Sequence, residues 1–179
     1  MTRQSLPLLA AAGALAVSLA APAAATTFQF GTTLSSLGEP TPTSLATGSA
    51  NVTFDDVAFT VAVDETFSGI AASMSGNHIH CCTASPGTGS ASVALGFTGL
   101  ATGTSGQYTN TFTMPVTNFS SLLAGVQAGK AYVNIHTPGV YSGGEIRGFL
   151  VPVPEPSTYA LMLCGLGLIG WAAKRRQLA

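Results

Sequence analysis

The chain has 179 residues, six Lys and Arg against seven Asp and Glu, and a formal net charge of −1. Only 7% of it is charged and 46% is apolar. This excludes a nucleic-acid partner, because phosphate binding needs clustered Lys and Arg.

In chain order, Arg3 opens a short basic segment and Leu6–Leu19 is a run of Leu, Ala and Val. Pro22 breaks any helix, and Ala23-Ala24-Ala25 sets small residues before Thr26. Residues 1–25 therefore read as a secretory signal peptide, handled by the Sec translocon and signal peptidase. The body, residues 26–151, is long enough for one domain with a real core. It carries six acids (Glu39, Asp55, Asp56, Asp64, Glu65, Glu145) and two bases (Lys130, Arg147), so its charge is near −4.

Apolar and polar residues alternate over Phe28–Phe30, Asn51–Phe54 and Val57–Val63, with Asp55-Asp56 as a tight turn between the last two. Alternation continues over Phe67–Ala72, Asn77–Thr83, Ala91–Phe97 and Tyr108–Met114. One short helix is expected over Phe119–Gln127, with Thr117 or Asn118 as N-cap and Gly129 past its end. Two strands follow, Ala131–Thr137 and Glu145–Leu150. Short strands separated by Gly and Pro clusters predict a single antiparallel β-sandwich with Greek-key-like connections.

The chain has three histidines, and all fall in two of these strands. His78 and His80 stand at i and i+2, so on a strand they share a face. His136 on a neighbouring strand would complete a three-His site for copper or zinc, with Cys82 or water as a fourth ligand. On the hairpin that follows, Val133, Ile135 and Ile146 share the apolar face, and Asn134, His136, Glu145 and Arg147 gather on the polar one. Glu145 and Arg147 are placed to form an ion pair that orients an imidazole. The same face can instead serve only to set strand register. Cys81 and Cys82 are open to three readings. These are a vicinal disulfide, thiolate ligands beside the histidines, or free thiols, and the exported setting leans towards the bridge.

The C-terminal segment carries Pro154-Glu155-Pro156 in a Pro-rich linker (residues 152–158), then residues 159–179. Within these, Tyr159–Ala173 is uncharged and Lys174-Arg175-Arg176 follows. A short apolar helix ending in three cations reads as a transmembrane anchor whose basic end stays cytoplasmic. Gly165–Gly170 matches the spacing of a dinucleotide loop but has no strand–turn–helix unit around it.

The order of motif, apolar run and basic end resembles the PEP-CTERM sorting signal of Gram-negative bacteria. That resemblance implies an inner-membrane precursor processed by an exosortase-type transpeptidase, then delivered to the cell surface or exopolysaccharide matrix. The His78-x-His80 strand resembles the CHRD domain, together with Tyr132-x-Asn134-x-His136-Thr137 and Gly143-Gly-Glu-Ile-Arg-Gly148. This implies a β-rich extracellular module. The expected role is non-enzymatic, binding extracellular polysaccharide or a surface protein. The alternative is a copper or zinc protein for metal storage or superoxide-dismutase-like chemistry.

Overall fold

The computed structural model describes residues 26–39, 43–154, 162–169 and 174. The expected signal peptide, Glu155 and Pro156, and Arg175 and Arg176 lie outside the described residues. No helix among the described residues is long and apolar enough to cross a membrane, and residues 159–161, 170–173 and 175–179 of the expected anchor are not among them.

Five strands, β1 (Thr27–Ser35), β2 (Thr47–Asp55), β3 (Thr60–Ser68), β4 (Gly76–His80) and β5 (Val93–Gly96), precede β6 (Ser105–Thr113). Helix α1 (Val116–Gln127), β7 (Tyr132–His136), β8 (Ile146–Phe149) and β9 (Val151–Pro152) complete the described body, with 3-10 turns at Ser36–Gly38 and Gly139–Tyr141. Expectation and structure agree that the chain is mainly antiparallel β. They differ in sheet count, because all the strands form one curled sheet in the order β5-β4-β7-β8-β1-β2-β3-β6, with β9 on β1. The halves meet along β1, where Ser35 stands opposite Arg147 of β8, and β9, which follows β8 directly, pairs Phe30 with Pro152 and Gly31 with Val151. Two half-sheets that each need a cover thus curl onto one core instead of stacking as separate layers.

The curl is visible in contacts between strands far apart in that order. Asn77 on β4 donates through Nδ2 to Glu65 on β3. Phe97, just past β5, stacks on Tyr108 and Phe112 of β6 at 5.5 and 5.3 Å. Alternation decides what enters the core. Val52, Phe54, Val61 and Val63 come from one half, and Ile79, Val133, Ile135 and Ile146 from the other. Phe119, Leu122 and Val126 of α1 close the open side. Each such side chain contributes about 1.5–3 kcal/mol on burial.

Asp55 Oδ1 accepts from the N–H groups of Val57 and Ala58, at 2.9 and 2.8 Å. The turn is therefore longer than two residues. Gly129 ends the helix with φ 68°, while its start uses Pro115 without a side-chain cap. Of the separate strand expected over Phe67–Ala72, Phe67 and Ser68 end β3, because Asp64, Glu65 and Thr66 continue the alternation, and the chain leaves the sheet at Gly69, with φ 76°.

The chain joins Cys81 and Cys82 in a vicinal disulfide. Gly125 of α1 lies against it, where an added Cβ would fall 2.2 and 2.3 Å from the two sulfurs. Only glycine permits this approach. Gly125→Ala should therefore lower stability by about 1–3 kcal/mol through overpacking. An unchanged melting temperature would contradict this packing of the helix on the disulfide.

Candidate metal centre

On β4 the apolar parity puts Asn77 and Ile79 in the core and turns His78 and His80 to the opposite face. Strand β7 pairs with β4 so that His78 faces Asn134, His80 faces Tyr132 and Gly76 faces His136. His78 and His136 are therefore diagonal neighbours. Gly76 makes their meeting possible, because a Cβ there would lie 2.8 Å from Cε1 of His78. The ring of His78 leans over this gap to within 5.0 Å of the His136 centroid.

The three imidazoles converge. One ligand atom from each of His78, His80 and His136 lies within 4.8 Å of the others. Nδ1 of His80 is 2.8 Å from the Ala91 carbonyl, and Nδ1 of His136 is 3.0 Å from that of Ser142. A carbonyl only accepts, so in the neutral rings Nδ1 carries the proton and Nε2 presents its lone pair. Those two Nε2 atoms and Nδ1 of His78 are buried with no partner among the described residues. Burial, reinforced by the neighbouring imidazoles, holds the pKa of His78 below the ordinary histidine value, and burial likewise lowers that of His80. Both shifts favour the neutral, metal-ready ring.

The surroundings hold this geometry. His80 stacks on Tyr132 at 4.8 Å with an interplanar angle of 4°. The Tyr132 hydroxyl accepts from the N–H of Ala91 at 3.2 Å, tying the preceding loop over the site. The Arg147 guanidinium sits 4.7 Å from the Tyr132 centroid. Its nitrogens donate to the carbonyls of Gly38 and of Gly89, and it pairs with Glu39 at 4.0 Å. Burial raises the Glu39 pKa, and Arg147 partly offsets it.

Two expectations about this face are corrected. Glu145 does not pair with Arg147. Its buried carboxylate accepts from Ser44 Oγ at 2.8 Å, from the Ala71 N–H at 2.9 Å and from Thr137 Oγ1. Gly144, at φ 133°, turns the chain just before β8 starts at Ile146, so the i, i+2 parity does not reach back to Glu145. Cys82 is no fourth ligand either, because its sulfur is bonded to Cys81 and packs on α1. Asn134 and Arg147 do share the histidine face, in register on β7 and β8. The roles of Tyr132, Gly76 and Glu39 were missed. A glycine at the start of a His-x-His strand is a readable sign of close approach, whereas Glu39 has no local signal.

Comparison with family models matches the CHRD domain to residues 30–150 and the PEP-CTERM protein-sorting motif to residues 152–176. Neither the curated proteins nor the solved structures contain a match. The sorting motif marks an exported, membrane-anchored precursor that an exosortase-type system directs to the cell surface. With more than half of its length matched, the chain belongs to the CHRD domain family.

Proposed function

We propose that this surface protein holds a transition metal, copper or zinc, through His78, His80 and His136, in a binding rather than a catalytic role. One observation carries the reading: each of the three imidazoles has a ligand atom within 4.8 Å of the others, and each has a buried nitrogen with no partner among the described residues. Left unpaired, each buried polar atom costs about 1–3 kcal/mol, so the cluster is expensive unless something binds there. Three imidazoles with no thiolate suit copper or zinc. A tetrahedral ion with bonds of about 2.0–2.1 Å spaces its ligands about 3.4 Å apart. Small χ rotations close the difference. The backbone carbonyls of Ala91 and Ser142 would act as the outer partners that fix the tautomers.

The test is metal analysis and competitive titration of the exported protein. His80→Ala and His136→Ala should each weaken copper or zinc binding by more than the roughly 10–100-fold that follows loss of an outer-shell partner. Equal metal content in wild type and both variants would refute the site. If metal is bound without turnover of superoxide, the storage role stands. Rapid superoxide consumption that depends on His80 would move the protein to the redox alternative.

A further inference from the structure

We infer that β6 is an assembly edge, made to pair antiparallel with β6 of a second copy of this chain. This is independent of the metal centre. β6 ends the sheet order, and among the described residues no strand pairs with its outer side. The other terminal strand, β5, is blunt, with four residues and a register shift against β4. β6 is different. Its nine residues, Ser-Gly-Gln-Tyr-Thr-Asn-Thr-Phe-Thr, stay in unbroken register with β3. It carries no charge, no proline and no bulge, the devices that usually keep an exposed edge from pairing.

The outward backbone groups can be assigned. Ile70 N–H donates to the Thr104 carbonyl and Met114 N–H donates to the Phe59 carbonyl, so the even-numbered positions face β3. Alternation along an antiparallel ladder turns the odd-numbered positions, Ser105 to Thr113, outward. Of these, the Thr111 N–H is met by the side chain of its neighbour Asn110 at 2.8 Å.

The strand is self-complementary about Thr109. A two-fold axis there sets Thr109 against Thr109, Gln107 against Thr111 and Ser105 against Thr113, odd against odd as the ladder requires. Each facing pair is a neutral hydroxyl or amide pair, and β-branched threonine favours extended backbone. The nearest charge, Asp64, is one strand inward, opposite Thr109. Across the joint the two Asp64 residues would stand three strand spacings apart, about 14 Å. That exceeds the screening length of about 8 Å at physiological salt. Strand addition of this kind supplies main-chain hydrogen bonds, and the Gln107–Thr111 pair forms as the Asn110 side chain releases the Thr111 N–H.

The experiment is the light-scattering mass of the full chain in detergent, for wild type, Thr109→Pro and Thr109→Lys. Proline removes an outward N–H that β3 does not use. Lysine sets two cations together at the axis while keeping Asp64 beside it within each copy, so folding survives. Wild type is expected to hold two chains per particle and both variants one, with the lysine variant's circular dichroism spectrum unchanged. One chain per particle in wild type would overturn the inference. So would two chains in both variants, since that association would run through another surface.

Discussion

Glu65→Gln should stabilise the domain above neutral pH by about 3 kcal/mol and remove the fall in stability that Glu65 causes as pH rises towards about 7. Glu65 is fully buried on β3 between Ala50 and Tyr108. Burial raises its pKa from 4.5 to about 7, with the Asn77 hydrogen bond pulling the other way. An acid that holds its proton more tightly in the fold than in the unfolded chain favours folding at low pH. Its contribution is intact below 4.5 and is lost as pH rises towards about 7. At about 1.4 kcal/mol per pKa unit, the loss is on the order of 3 kcal/mol. Oε1 of Glu65 and Oδ1 of Asn77 are both buried without partners, and one proton on Glu65 supplies a donor to that pair. Glutamine keeps the shape and supplies the donor without the charge. Denaturant unfolding at pH 5 and pH 8 measures the effect. Parallel pH curves for the two proteins would show that Glu65 is solvated or otherwise paired.

Gly76→Ala should cost metal affinity while leaving every histidine in place. The added Cβ would press on the His78 ring at 2.8 Å, and the ring must move away from His136. A displaced ligand resembles a lost outer-shell partner, so affinity should fall on the order of 10–100-fold. The fold should survive, because the ring lies on the face away from the core and has room to turn. Copper titration of the variant, read beside its thermal unfolding, separates the two. Affinity equal to wild type would mean that His78 does not grip the ion, leaving at most His80 and His136.

Both variants act at places that differ in how far the sequence reveals them. Alternation placed Ile79, Val133, Ile135 and Ile146 on one side and the three histidines on the other without any structure. Period two along a strand is a local property, and the shared face of His78 and His80 follows from it. The convergence of His136 onto them depended on β4 lying beside β7, which motif content suggested but spacing alone could not supply. The partners of the buried acids were not legible. Glu39 meets Arg147, Glu65 meets Asn77 and Glu145 meets Ser44 and Thr137 through long-range closure of the curled sheet. Such pairings leave no mark on the residues nearby. The Glu145–Arg147 pair failed for a nameable reason, since parity was carried through Gly144 where the backbone turns. The two-sheet sandwich likewise rested on strand count, and the pairing of β1 with β8 and β9 that joins the halves is invisible to pattern.

The proposed role as a metal-holding surface module rests on the imidazole triad. X-ray absorption of the exported protein loaded with copper or zinc tests it most directly. The expected spectrum has a first shell of nitrogen and oxygen at about 2.0–2.1 Å, with imidazole scattering from three rings and no sulfur. The expected loss in His80→Ala is one ring together with most of the metal. A sulfur shell, or a spectrum with no imidazole signature, would contradict the account.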